Sequence, residues 1–168
     1  LGESYVSDTI RLFYEYPAAL NNFVDEVEIE AKLKNTYIHP RDLELFAHRT
    51  IPIRDKILID GNFSGFVNDF EFSNMQLKNG QSTLSGELSM FGLPDIDETF
   101  IDLKLDNSSL HPNDLSPFFQ EQVSDKIEDL GKIDFKGEFL GFINDFVANG
   151  EFRTNYGQII SDINLKID

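Results

Sequence analysis

Apolar and polar residues alternate along most of this chain with a period of two. From Gln158 to Asp168 the odd positions are mainly apolar and the even positions are mainly polar, and Glu26 to Lys34 repeats the pattern. Thr9 to Tyr16, Ser82 to Met90 and Thr99 to Leu105 behave in the same way. Strict alternation is typical of antiparallel strands with one face against apolar material and the other against water.

The connections between these segments predict tight hairpins and therefore a meander. Asn68-Asp69, Asn144-Asp145 and Asn79-Gly80 each lie between strand-like runs, and such residue pairs favour two-residue turns. The alternation changes phase once near Ser73, which predicts a β-bulge there. Short helices are expected after each His-Pro, at Arg41 to His48 and Asn113 to Leu130.

Two parts of the chain are internal repeats. IDGNFSGFVNDF (59–70) and FKGEFLGFINDF (135–146) are identical at seven of twelve positions. VDEVEIEAKLKNTYIHPRDL (24–43) and IDETFIDLKLDNSSLHPNDL (96–115) are identical at ten of twenty. These matches predict units at about 24–95 and 96–168, with 1–23 as the end of a preceding unit, in an array whose neighbours stack.

Composition excludes several classes of function. The chain has no cysteine, so disulfides and thiolate metal sites are excluded. Its net charge of -16 makes binding to nucleic acid improbable. His39, His48 and His111 are too scattered for a zinc site, and no nucleophile has a partner base at a recognisable spacing. We therefore expect neither an enzyme nor a bound cofactor or metal.

No run of 18 apolar residues that could cross a membrane occurs, and the chain does not begin with Met. We expect a fragment of a longer protein whose anchor or targeting segment lies elsewhere.

Three runs carry a family resemblance: IHPRDLELFA, LSGELSMFGLPDIDETFIDLKL and GEFLGFINDFVANGEFRTNYGQIISDINLKI. Together they resemble the TamB branch of the AsmA-like envelope proteins, in its Bacteroidetes form. The resemblance implies an all-β fold: a repeat-built antiparallel meander curled into a U-shaped trough, the β-taco, with short helices at its edge. It also implies a periplasmic location in an inner-membrane-anchored protein.

The same resemblance implies that the trough carries phospholipid acyl chains between the inner and outer membranes, or supports outer-membrane protein assembly with an Omp85-type partner that meets parts outside this chain. The alternation independently selects the apolar side that would form the trough. The candidate groove residues are Ile59, Phe63, Phe70, Leu84, Leu88, Ile101, Leu103, Phe135, Phe139, Phe146, Ile163 and Leu165.

Two other interpretations of the apolar side remain. It could dock unfolded β-strands of outer-membrane proteins, or it could be the core of a closed β-sandwich or barrel that serves as an interaction module. An uncovered apolar face would also favour self-association of the fragment.

Overall fold

The chain folds into a single antiparallel sheet of nine strands. The computed structural model describes residues 2–42, 53, 55–118 and 128–166. The strands are β1 (Ile10–Phe13), β2 (Glu28–Ile38), β3 (Ile57–Gly65), β4 (Asp69–Asn79), β5 (Ser82–Phe91), β6 (Phe100–Leu110), β7 (Ile133–Phe142), β8 (Asp145–Thr154) and β9 (Gly157–Lys166).

The sheet is an open meander that curls without closing. Each strand pairs with the next one along the chain, from β1 to β9. The described residues contain no second sheet, and β1 and β9 remain at opposite edges. The all-β trough architecture is therefore confirmed, and the closed sandwich or barrel is wrong, because no strand pairing joins the two edges.

The register places apolar residues on one side of the sheet through all nine strands. Residues directly opposite each other in an antiparallel pair share a face, so the register assigns faces across the sheet. Leu12 pairs with Ile29, Phe72 with Leu88, and Phe139 with Ala148. We call this side the apolar face. The opposite side, the polar face, carries residues such as Glu30, Lys32, Ser64, Glu71, Asp102, Lys104, Glu138 and Asn149.

β-bulges recur in alternate strands at one level of the sheet. The register shifts between Leu33 and Thr36 in β2, between Phe72 and Met75 in β4, and between Leu105 and Ser108 in β6. The bulge predicted near Ser73 is thus confirmed, whereas those in β2 and β6 were not predicted. A bulge bends its strand and increases its twist, so aligned bulges curl the sheet.

Glycines lie opposite these bulges in the neighbouring strands. Together with residues next to the bulges they form a row across the apolar face from β2 to β9. We call this row the crease, and it consists of Leu33, Gly61, Met75, Gly86, Leu105, Gly137, Gly150 and Ser161. At Gly61 φ is +144°, and an added Cβ would lie 2.7 Å from Cε2 of Phe72. The Phe72 ring therefore packs over a backbone position that only glycine fits without strain.

The three predicted hairpins form, but each turn is displaced by one residue. The two-residue loops are Val67 and Asn68, Gly80 and Gln81, and residues 143–144. Asp69 and Asp145 instead begin β4 and β8. Gly80 has φ +58° at the first loop position, as in a type II′ turn, whose twist matches that of the adjoining strands.

Helical segments are confined to the long connections at the ends of the strands. Pro112–Leu115 and the 3-10 turn Ser116–Phe118 lie at the start of the second predicted helix, which begins one residue earlier than predicted. Residues 119–127 of that prediction lie outside the described residues. The first predicted helix, at 41–48, lies mostly outside the described residues. Pro17–Asn22, Phe23–Glu26 and Ile96–Glu98 form short helical turns that were not predicted.

Two polar clasps, each built from a G-x-S and an H-P-x-D sequence, fasten one end of the sheet. In the second clasp Asp114 accepts hydrogen bonds from Ser82 N (2.8 Å), Ser82 Oγ (2.7 Å) and Gln81 N (2.9 Å). Ser82 Oγ in turn accepts the backbone N–H of His111 at 2.9 Å. The serine is buried, so its polar atoms depend on these bonds.

The first clasp repeats this geometry. Asp42 accepts hydrogen bonds from Ser4 N (2.7 Å) and Ser4 Oγ (2.5 Å), and His39 N donates to Ser4 Oγ at 2.9 Å. The Ser4 hydroxyl lowers the pKa of the Asp42 carboxyl, because a bond to the ionised form favours that form. The second clasp fastens the start of β5 to the helical connection after β6, and the first fastens Ser4, next to the isolated bridge between Tyr5 and Tyr37, to the residues after β2.

Truncating Asp114 to Ala should destabilise the protein by about 1–3 kcal/mol, because the buried Ser82 N–H and hydroxyl would lose their acceptor. Urea denaturation followed by circular dichroism measures this change. Asp162→Ala, at an exposed position of β9, is the control and should stay within about 0.5 kcal/mol of the wild type. Equal urea midpoints for the two variants would contradict the clasp.

The first clasp should make stability sensitive to acid. Because the folded pKa of Asp42 is lowered, its contribution is present above the ordinary carboxyl value of 3.8 and is lost as the pH falls through the folded pKa. Asp42→Asn should therefore be less stable than the wild type at about pH 5.5 and nearly equal to it at about pH 2.5. Urea midpoints at both pH values test this, and a gap that is constant with pH would contradict it.

Candidate functional site

All twelve residues selected from the sequence lie on the apolar face. Ile59 pairs with Leu77, Phe63 with Phe72, and Phe70 with Met90. In the second half Leu103 pairs with Phe139, Phe135 with Phe152, and Phe146 with Leu165. The remaining four, Leu84, Leu88, Ile101 and Ile163, fall on the same side by register. The structure therefore brings the set together on one surface, whereas its binding of lipid stays a prediction.

The apolar face is poorly covered by the described part of the chain. Eleven of the twelve residues are half-buried, and Ile163 is 47% exposed. Among the described residues, the apolar side chains on this face that are buried are Ala31, Phe72 and Met75. The accessible surface of the chain is 11383 Å², against about 8,400 Å² expected for a compact monomer of this mass. The alternating face is thus an exposed surface and not a closed core.

Phenylalanine rings form matching pairs in the two units. The Phe63 and Phe70 ring centroids lie 4.8 Å apart, and those of Phe139 and Phe146, at the equivalent positions, lie 4.7 Å apart. Phe135 and Phe152 stack at 6.1 Å on the other side of the crease. Aromatic pairs at these separations stabilise each other beyond their burial, so they form fixed ridges on the face.

An apolar depression of about 160 Å³ lies at the crease between these ridges. Its floor is formed by small residues, Gly137, Ala148 and Gly150, where side chains of ordinary size would fill the space. Its walls include the rings of Phe135, Phe139 and Phe152. The arrangement offers a slot that accepts hydrocarbon and provides no strong polar partner.

Sequence reasoning left out part of this surface. Phe72, Met75, Leu105, Ala148 and Phe152 all line the apolar face but were not among the candidate groove residues. Phe72 and Met75 lie on either side of the β4 bulge, which the alternation predicts, but they were left out of the candidate set. Ala148 and Gly150 form part of the slot because their side chains are small. Selecting large apolar residues from the sequence does not find such positions.

The polar face of the same strands carries closely spaced charges of both signs. Lys136 Nζ lies 2.8 Å from Glu151 Oε2, and Arg153 lies 3.5 Å from Glu151 Oε1. The hydrogen bond from Lys136 lowers the pKa of Glu151. A depression of about 660 Å³ opens here among these side chains. Its lining holds more acids than bases, which disfavours an anionic ligand.

The clasp residues are not a catalytic triad, although a Ser, a His and an Asp meet there. Ser82 Oγ donates directly to Asp114 and accepts from the His111 backbone, so the imidazole does not accept the hydroxyl proton. The His111 Nδ1 atom is buried without a hydrogen-bond partner among the described residues. Nucleophilic catalysis requires a base on the hydroxyl, so the clasp is structural.

The described residues contain neither a candidate metal centre nor a membrane-spanning helix. No group of three or more His, Asp or Glu residues there is arranged to hold a metal ion. None of the helices described is both long and apolar enough to cross a membrane.

Comparisons with known proteins add no assignment. No family model matches the chain, and the searches of curated proteins and of solved structures found no match. The resemblance to the TamB branch therefore rests on the sequence runs quoted above and stays a prediction.

Proposed function

We propose that this chain is a segment of a lipid-conducting trough in a TamB-like envelope protein. The supporting observation is the uncovered apolar face, which crosses nine strands and contains an apolar slot at its crease. Acyl chains would lie on this face while head groups stay toward water. The segment would act in the periplasm, without catalysis or a cofactor, as part of a protein anchored in the inner membrane.

The dimensions of the face suit hydrocarbon chains. Nine strands at about 4.8 Å spacing give a face about 38 Å across the strands. A single leaflet is about 15 Å of hydrocarbon, half of the bilayer core. Two acyl chains could thus lie end to end along the crease. Each buried methylene contributes about 0.8 kcal/mol, so binding would be distributed over many weak contacts.

Distributed contacts would permit movement along the trough. The apolar face offers Phe, Ile, Leu and glycine from strand to strand, and its buried hydroxyls are hydrogen-bonded: Thr36 and Ser108 to the backbone of residues 7 and 85, and Ser82 within the second clasp. A lipid crossing this surface would exchange nearly equivalent apolar contacts. Sliding requires such uniformity, because one strong site would trap the chain.

Docking of unfolded outer-membrane β-strands is the second candidate. It is favoured by the edges of β1 and β9, which have one unpaired side each within the described sheet, beside the same apolar face. An Omp85-type partner would contact parts of the protein other than this chain. Both functions use the apolar face, so they can be distinguished only by identifying what the protein binds, lipid or peptide.

Mass spectrometry of lipids extracted from protein purified without detergent tests the proposal. We expect about one or more phospholipids per chain, given the length of the face and of an acyl chain. Protein that carries no lipid but binds a peptide copied from an outer-membrane strand would favour the docking function. Protein that carries neither would contradict both.

Phe139→Asp should remove most of the bound lipid and leave the fold largely intact, because it places a charge on an open apolar surface. Asn149→Asp is the matched control: it adds the same charge to the polar face of the adjoining strand and should retain the lipid. Lipid content and urea midpoints are measured for both. Unfolding of the Phe139 variant at much lower urea would mean that the face is a sealed core.

A further inference from the structure

A second apolar surface lies on the polar face, at the end of the sheet opposite the clasps. Five side chains from β5 to β8 form it, each between 37% and 63% exposed: Phe91, Phe100, Leu140, Phe142 and Val147. We call it the aromatic patch. Phe91 pairs directly with Phe100, Leu140 pairs with Val147, and the Phe100 and Phe142 rings meet edge to face at 5.5 Å.

The fold does not require three of the five patch residues, as the first unit demonstrates. The positions equivalent to Phe100, Leu140 and Val147 are Glu28, Ser64 and Glu71, at spacings of 72 and 76 residues. They occupy the same places in β2, β3 and β4 on the same face of the sheet. Since the same strands form with polar residues there, these three apolar residues serve another purpose. The other two members are phenylalanines whose presence the comparison does not separate from folding: Phe142 has Phe66 as its equivalent, and Phe91 lies in the first unit.

Acidic residues surround the aromatic patch. The cross-strand partners of Phe91, Leu140 and Phe142 are Asp69, Asp102 and Asp145. Asp145 is paired with Lys166 at 3.2 Å, whereas Asp69 and Asp102 form no ion pair with any described residue. Asp97 and Glu98 lie exposed in the loop that leads into Phe100. The complementary ligand has an apolar centre and a basic border.

We propose that the aromatic patch docks a basic amphipathic α-helix of a partner protein. The backbone groups of β5 to β8 are already paired within the sheet, so a partner cannot add a strand here and must pack side chains on the face. A helix with one apolar stripe meets that requirement. A second copy of this chain would bring the same acidic border, and an anionic membrane would be repelled.

The test uses a synthetic helix of about 18 residues with Leu on one stripe and Lys elsewhere, and a matched peptide with Glu in place of Lys. Binding to the protein is measured by fluorescence anisotropy. We expect the Lys peptide to bind and the Glu peptide not to bind. Failure of the Lys peptide to bind would overturn the proposal.

The triple variant Phe100→Glu, Leu140→Ser and Val147→Glu transplants the residues of the first unit into the second. It should bind the Lys peptide at least about tenfold more weakly. The variant adds two negative charges, so purely electrostatic attraction, or binding to the apolar face instead, would leave affinity equal or greater and would overturn the proposal. Circular dichroism checks the fold of the triple variant. If the triple variant does not fold, the single variant Phe100→Glu takes its place.

Neutral phosphatidylcholine vesicles form the last arm of the test. The triple variant should sediment with them to the same extent as the wild type, because it leaves the apolar face unchanged. If the wild type sediments with the vesicles and the triple variant does not, the aromatic patch binds a membrane, and the proposal of a docked helix is overturned.

Discussion

The structure depends on one constraint: apolar residues must stay on the same side of a single sheet across nine strands, and the described residues provide no second layer to cover them. A one-residue slip in any pairing would turn an entire strand over and place charges on the apolar face. Hairpins of two residues prevent that slip between β3 and β4, β4 and β5, β7 and β8, and β8 and β9. The bulges are compatible with this constraint. Each bulge shifts the apolar–polar alternation of its own strand, and the glycines opposite it in the neighbouring strands accommodate the bend in the backbone.

Much of this arrangement was predictable because alternation is a local signal. In β9 the apolar-face positions include Ile159, Ile163 and Leu165, with only Ser161 interrupting them, and the pairing with β8 runs without a shift from end to end. The groove residues followed directly from such strands. The bulge in β4 was also visible, because Phe72 and Met75 are both large and apolar on either side of the phase change.

What could not be predicted lies where the residues after a bulge are polar or small. In β2 and β6 the first apolar-face residues beyond the bulge are Thr36 and Ser108, and a hydroxyl does not continue an apolar pattern. Their burial is balanced by hydrogen bonds to the backbone of Ser7 and Ser85, which are distant in sequence. The clasps were missed for the same reason: the serine and the aspartate of the second clasp are 32 residues apart and meet only in the folded sheet.

Repetition separates what the fold needs from what a particular unit does. The clasps, the crease glycines Gly61 and Gly137, and the paired phenylalanines recur in both units, so they belong to the construction of the trough. Three residues of the aromatic patch, Phe100, Leu140 and Val147, are apolar in one unit only, where the other has Glu28, Ser64 and Glu71, so construction does not explain them. A net charge of -16 opposes association between copies, and the same charge favours basic partners at the patch. On the two proposals, one acidic scaffold would hold acyl chains on one face and a cationic helix on the other, without either competing for the same side chains.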